Sequence, residues 1–328
     1  MTALMARAPA KVNLTFEVIG EMADGYHEVS TLLQSIDLED ELVFELEPAR
    51  ETAISIAVSG HSKNDFPLDH TNLIAKAIKE FVACLPDRQG LKAAVTVDKR
   101  IPIGAGMGGG SSDAAATLLT LNYYYGHPLG AEDLLALAAR LGADVPFMIE
   151  GGTRVGRGRG DELTAVSIAN NLCLVLIKPR GLSISTAWVY SAYDDFPEPE
   201  RSPVWTPPDL VGALNALTTG DLELAATCFG NDLEPVVFHH HPQLAEIKAS
   251  LLSLGCWGCY LTGSGPTLFA TVSGPEMAHA VRRKFFSLGD GDPDPGQSGR
   301  SPRHPAFDVD FWIAGCVGYG ARLIGELA

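Results

Sequence analysis

The segment IPIGAGMGGGSSDAAATLLTL, Ile101 to Leu121, places five glycines among the seven residues from Gly104 to Gly110 and follows them with Ser111, Ser112 and Asp113. Glycines let successive backbone N–H groups turn toward one point and let a ligand approach the main chain closely. The Ala- and Leu-rich run that follows reads as a helix from about Asp113 to Tyr124, and its N-terminus adds the positive end of the helix dipole. Together these make a cradle for phosphate groups. Ser111, Ser112 and Asp113 are all natural N-cap types, and the two hydroxyls have the reach for a phosphate or a metal. A P-loop requires G-x-x-x-x-G-K-[ST], and Ser111 rather than lysine follows Gly110, so that reading is discarded. Gly104-x-Gly106-x-x-Gly109 matches the dinucleotide fingerprint literally, but the helix after it leads to another helix, not to a strand ending in an acidic residue. A mere flexible turn would not require so many glycines, each of which loses conformational entropy on folding.

Other residues carry chemistry of their own. Lys11 lies mid-strand on the same side as Asn13; taken alone it reads as a solvent-facing strand lysine. Asp144, in LGADVPF, reads equally as an N-cap for the turn holding Pro146 and as a positioned carboxylate able to accept a hydroxyl proton. Tyr26 and His27 follow an Asp-Gly turn and by themselves are a partly buried aromatic pair; Gly263-Ser264-Gly265 is a second glycine turn, by itself a hairpin connection. Cys256-x-x-Cys259 has a zinc or redox spacing, but one pair beside a core strand reads as buried thiols. His239, His240 and His241 are consecutive, and neighbours rarely point at one ion, so they read as the approach to a surface helix ended by Pro242.

The elements that must position these groups follow from periodicity. In AKVNLTFEVI, residues 10–19, Val12, Leu14, Phe16 and Val18 alternate with Lys11, Asn13, Thr15 and Glu17, the pattern of a half-buried strand. Further strands are predicted near 41–47, 52–58 and 92–98, with an amphipathic helix at 72–85 between the second and third. A helix from Ala131 ends at a Gly142 C-cap. A strand at 172–177, a connecting loop at 194–209, helices near 209–218, 221–229 and 242–253, and a strand–turn–strand at 260–272 follow. The breaker-rich segment 288–305 reads as a mobile surface loop. Helices and strands interleave without strict βα alternation, which favours α+β over a doubly wound sheet.

Length and composition bound the possibilities. A chain of 328 residues suggests about two domains. The formal net charge of −16 argues against broad nucleic-acid or membrane-surface binding, which needs a basic field, yet leaves room for an anionic small molecule at a local site. No apolar run suggests a membrane span, the N-terminus has neither signal-peptide nor import-leader character, and six scattered cysteines suggest no disulfide framework, so a cytoplasmic location is expected.

PIGAGMGGGSSDAA resembles the phosphate-binding motif of the GHMP kinases. With APAKVNL at the start, ADGYHE, LGADVPF and LTGSGPT in the same order, the likeness spans nearly the whole chain and is strongest to the branch that phosphorylates a cytidine diphosphate-linked methylerythritol. Met107 stands where that branch usually has leucine. The resemblance implies an α+β two-domain GHMP kinase fold: an N-terminal domain like ribosomal protein S5 domain 2, over 1–165, and a ferredoxin-like C-terminal domain over 166–328. It implies transfer of the ATP γ-phosphoryl group, with Mg2+, to the 2-hydroxyl of the small-molecule substrate, in the non-mevalonate route to isoprenoid precursors. It assigns Lys11 and Asp144 as catalytic residues, and Pro102, Gly104, Gly106, Gly108, Gly109, Gly110, Ser111 and Ser112 as the ATP phosphate site, with Ser112 also a metal ligand. Asn13, Tyr26, His27 and Tyr190 would bind the cytidine substrate, and the Gly263 turn would close over the phosphates. The alternatives are another GHMP kinase, of the homoserine or mevalonate type, which ADGYHE disfavours, and a ligand-binding relative without turnover.

Overall fold

The computed structural model describes residues 1–60, 66–85, 90–168, 171–196, 205–287, 304 and 306–327. The 288–305 segment, apart from His304, and residues 197–204 of the predicted connecting loop lie outside these described residues.

The chain opens with two long strands, β1 (Thr2–Glu21) and β2 (His27–Ala49), joined by the turn around Gly25 and paired antiparallel along their whole length. There follow β3 (Ala53–Gly60), α1 (Leu73–Ala83), β4 (Gly90–Lys99), α2 (Gly109–Tyr124), α3 (Ala131–Leu141), α4 (Asp144–Glu150), β5 (Thr153–Arg157) and β6 (Glu162–Ala165). Next come β7 (Cys173–Pro179), α5 (Thr186–Asp194), α6 (Leu210–Thr219), α7 (Leu222–Cys228), β8 (Gly230–Asn231), α8 (Glu234–His240) and α9 (Pro242–Ser253). The chain ends with β9 (Gly258–Leu261), β10 (Leu268–Val272), α10 (Pro275–Phe285), β11 (Val309–Gly315) and β12 (Arg322–Glu326).

The strands form two sheets. The first runs β12-β1-β2-β4-β3, with β5 added to β2, β6 to β5, and β8 alongside β1; the second runs β11-β7-β10-β9. Helices α1 to α4 cover the first sheet, burying Ile74, Phe81, Leu118, Leu121, Leu137 and Phe147 against Leu4, Leu42, Phe44 and Val95. Helices α8, α9 and α10 cover the second, with Val237, Ile247, Leu251 and Phe285 packed on Val175, Ile177 and Leu268. A third cluster joins the sheets, where Val12 and Leu14 of β1 meet Leu174 and Leu176 of β7. Helices thus lie on faces of mainly antiparallel sheets, the α+β class the interleaving predicts.

Three local differences from the sequence expectation matter for the site. β1 is not half-buried: Lys11, Asn13 and Thr15, on its polar side, are 4%, 2% and 0% exposed. The glycine loop and the residues after β9 cover that side: Met107 accepts a hydrogen bond from the Lys11 backbone N–H, and Thr262 from that of Asn13. α2 starts four residues earlier than predicted, so Ser111, Ser112 and Asp113 lie inside its first turns and cap nothing. Gly108 is the N-cap, left-handed at φ 68°, with no side-chain cap. The first bond of the helix runs from Ser112 N–H to Gly108 C=O, leaving the N–H groups of Gly109, Gly110 and Ser111 without an intrahelical acceptor. Finally, Asp144 occupies the first turn of α4 without capping it, so its carboxylate is not consumed by local structure.

Candidate functional site

Two chambers share the glycine loop as a common wall. The larger, about 890 Å³, lies between the β1–β2 hairpin, α5, the α3–α4 junction and the Gly263 turn. The smaller, about 340 Å³, lies among Phe66–Leu73, Lys99 and residues 102–111. Gly106, Gly108 and Ser111 line both, so the uncapped N-terminus of α2 stands where the contents of the two chambers would meet. Donor N–H groups and the helix dipole converging on such a point favour an anion there.

In the larger chamber the Lys11 ammonium donates to Asn13 Oδ1 at 2.6 Å and lies 3.8 Å from Asp144 Oδ2. Asn13 is fixed in turn by its own Nδ2–H donating to Thr31 Oγ1 at 2.9 Å. Lys11 is therefore a buried cation held in one orientation, while the Asp144 side chain remains 41% exposed to the chamber. Tyr26, His27 and Tyr190 line the same chamber. His27 stacks on Tyr190 with ring centroids 4.6 Å apart and 23° between planes, and its Nε2 lies 2.7 Å from Asp194 Oδ1. Tyr26 is 57% exposed, with the Arg159 guanidinium 5.0 Å over its ring. Burial, reinforced by the Asp144 charge, raises the Tyr190 phenol above its ordinary range. The Gly263 turn completes the wall: Ser264 Oγ and Thr186 Oγ1 are 2.8 Å apart, tying that turn to the first residue of α5.

The predicted phosphate-site residues Pro102, Gly104, Gly106, Gly108, Gly109, Gly110 and Ser111 line the smaller chamber. Ser112 lines neither chamber. It is fully buried and its hydroxyl donates to the Pro9 carbonyl at 2.7 Å, which pins α2 to β1. Under the loop lies a network that sequence reasoning missed. Lys99 Nζ donates to Asp40 Oδ2 and, at 2.7 Å, to Asp113 Oδ2, while Asp40 Oδ1 accepts from the N–H groups of Arg100 and Ile101. Burial alone would lower the Lys99 pKa, but the two carboxylates outweigh it and the ammonium is held above its usual range. Burial, with the neighbouring Asp40 charge, pushes Asp113 up to about 8 despite Lys99.

The two decoys stay outside both chambers. Cys256 and Cys259 are free and buried, and burial pushes the Cys256 thiol up to about 12. His239 and His240 close α8, where they meet the rings of Phe196 and Trp188. No group of three His, Cys, Asp or Glu able to hold a metal ion occurs among the described residues, nor does a helix long and apolar enough to cross a membrane.

The fold and site so described are those of a GHMP kinase: the GHMP kinases N terminal domain matches residues 72–152 and the GHMP kinases C terminal domain matches 213–290. Within that class, the chain is 40% identical to a 4-diphosphocytidyl-2-C-methyl-D-erythritol kinase of Pelotomaculum thermopropionicum, over 86% of this chain and 93% of the relative. It is 36% identical to the enzyme of that name from Thermosynechococcus vestitus, over 96% and 97% of the two chains. A crystal structure of 4-(cytidine 5'-diphospho)-2C-methyl-D-erythritol kinase superimposes with a TM-score of 0.71 at 32% identity, covering 96% of this chain and all of the other. The chain belongs to the 4-diphosphocytidyl-2-C-methyl-D-erythritol kinase family.

Proposed function

We propose that this chain transfers the γ-phosphoryl group of ATP to the 2-hydroxyl of 4-diphosphocytidyl-2-C-methyl-D-erythritol, a step toward isoprenoid precursors that does not pass through mevalonate. The observation that carries this reading is the Lys11–Asp144 pair, 3.8 Å apart, in the larger chamber beside the loop shared by both. ATP takes the smaller chamber with its phosphates on the N-terminus of α2; the acceptor takes the larger with its base near Tyr26, His27 and Tyr190. Asp144 accepts the proton of the attacking hydroxyl, and Lys11 orients that hydroxyl and offsets charge on the moving phosphoryl group. Most of the rate enhancement then comes from positioning and electrostatics rather than base strength.

Mg2+ is part of the proposal. The donors on hand are hard oxygens, the Ser111 side chain in the shared wall and the half-exposed Asp144 carboxylate, few enough to suit a cation held mainly by phosphates and water. When bound, the ion would neutralise charge on the β- and γ-phosphates. The fully buried Ser112, already donating to Pro9, is not among the groups that would hold it. A cytoplasmic setting fits a reaction that uses ATP and a chain whose six cysteines are all free.

The test is ADP release with MgATP and three acceptors: the cytidine diphosphate methylerythritol, homoserine and mevalonate. Turnover is expected with the cytidine compound alone, and Asp144→Asn should lower its kcat by about 10²- to 10⁴-fold, the usual worth of a positioned acid–base group. Near-normal turnover by that variant would remove Asp144 from the role; turnover with another acceptor would overturn the cytidine site.

A further inference from the structure

His27 and Asp194 are 167 positions apart in sequence, yet they meet at 2.7 Å inside the larger chamber. Their meeting is built into α5. Tyr190 and Asp194 are four residues apart on that helix and therefore share one face. The Tyr190 ring stacks on the His27 imidazole, and the Asp194 carboxylate takes its edge at Nε2. The imidazole, at the first position of β2, is thus fixed in plane and in rotation by two side chains of one helix.

We propose that Asp194 is a specificity-determining positioning residue that selects cytosine over uracil by fixing the tautomer of His27. The proposal rests on reading the larger chamber as the cytidine site. A carboxylate can only accept, so Nε2 must carry the proton in the pair with Asp194. In the neutral ring Nδ1 is then a bare lone pair, and it has no hydrogen-bond partner among the described residues. With the His27 side chain only 10% exposed, an unmatched base edge against Nδ1 is poorly compensated by water. The two pyrimidines differ where this matters: cytosine presents an exocyclic amino group, a donor, where uracil presents a carbonyl oxygen, an acceptor. A bare Nδ1 attracts the first and repels the second. A site built to hydrogen-bond a substrate N–H rejects the analogue lacking it far more strongly than apolar contact can. Without Asp194 nothing in this geometry prevents the proton from moving to Nδ1, and the preference would be lost.

The test measures binding of cytidine diphosphate and uridine diphosphate by calorimetry to the wild type, Asp194→Ala and Asp194→Asn, together with the ¹⁵N signature of the His27 ring at neutral pH. The wild type should prefer the cytidine nucleotide with His27 protonated at Nε2. Asp194→Ala should lower that preference by about tenfold or more. Asp194→Asn, which keeps the shape of the side chain at the end of α5, should fold normally and lose less. With the full substrate, Asp194→Ala should raise KM while kcat stays within a few-fold, a split that general loss of structure would not produce. A wild type that does not distinguish the two nucleotides would sink the cytidine reading and this inference together. A wild type that prefers cytidine, with the preference intact in both variants or with the His27 proton on Nδ1, would overturn this inference alone.

Discussion

Asp113 illustrates how a residue in a signature motif can act from beneath the site. Two carboxylates, Asp40 and Asp113, share the ammonium of Lys99 in a fully buried pocket, and Asp113 Oδ1 has no hydrogen-bond partner among the described residues. Two charges against one in such a place favour retention of a proton, and burial raises Asp113 to about 8. A carboxyl whose folded pKa lies above its unfolded value binds its proton more tightly in the native state. It therefore contributes stability that is complete below the ordinary carboxylate range, declines as pH climbs, and is gone above about 8. Asp113→Asn replaces the protonated acid with a neutral near-isostere. We expect the variant to match the wild type near pH 4, to become the more stable protein as pH climbs above that, and to show the full difference near pH 9. Urea unfolding at both pH values decides it: parallel losses in the two proteins would show that another group sets the slope. None of this was legible in the sequence. Asp40 and Asp113 lie 59 and 14 positions from Lys99, and their residue types are ordinary at strand ends and helix starts.

At the scale of elements, what could be read was what is contiguous. The loop from Pro102 to Ser111 is one stretch of chain, so its glycines could be read together as a candidate phosphate cradle, and the strand leading into it, β4, was visible near 92–98, whereas β1 and β2 were read over only part of their length and β5, β6, β11 and β12 were not read at all. Four helices, α4, α5, α8 and α10, were missed. At seven, nine and seven residues the first three are shorter than the window over which a helical period can be recognised, and α10, at eleven, only just fills it. Yet α5 carries Tyr190 and Asp194, so the less legible half of the larger chamber is the half built from a short helix. The early start of α2 has a sharper consequence. Gly108 is left-handed at φ 68°, and a Cβ there would collide with the Met148 methyl and lie 3.2 Å from Lys11 Cγ. Gly108→Ala should therefore fold, because the end of Met148 can move aside, with stability lowered by about 1–2 kcal/mol for the forced backbone conformation. It should also displace Lys11 and lower kcat for the same acceptor. Thermal melting and steady-state kinetics on one preparation test both halves. An unchanged kcat would show that Lys11 tolerates displacement, contrary to its assigned role.

The whole molecule brings its two sheets together at the site, and one turn carries several of the bonds that join them there. Asn231 in β8, a strand of the first sheet, donates from Nδ2 to the carbonyls of Leu261 and Gly263, both at 2.8 Å, and so holds the turn that leaves β9 in the second. From the same turn Thr262 Oγ1 accepts the Asn13 backbone N–H at 3.0 Å, across 249 positions of sequence. Gly106 sits so close to the Thr262 carbonyl that a Cβ would not fit. The consequence is that Lys11, Asn13 and the glycine loop, all from the first half of the chain, owe part of their placement to residues of the second. Thr262→Val keeps the shape and deletes the acceptor, leaving a buried N–H without a partner. Such a group costs about 1–3 kcal/mol. If the strap only stabilises the fold, that loss is all that will be seen. If it sets the distance between the sheets at the site, the KM values for ATP and for the acceptor should rise together, because the turn borders the larger chamber and abuts the loop that walls both. We expect the second outcome, read from urea unfolding and two-substrate kinetics. A stability loss with both KM values unmoved would mean that the apolar seam of Val12 and Leu14 against Leu174 and Leu176 is enough to hold the site in register.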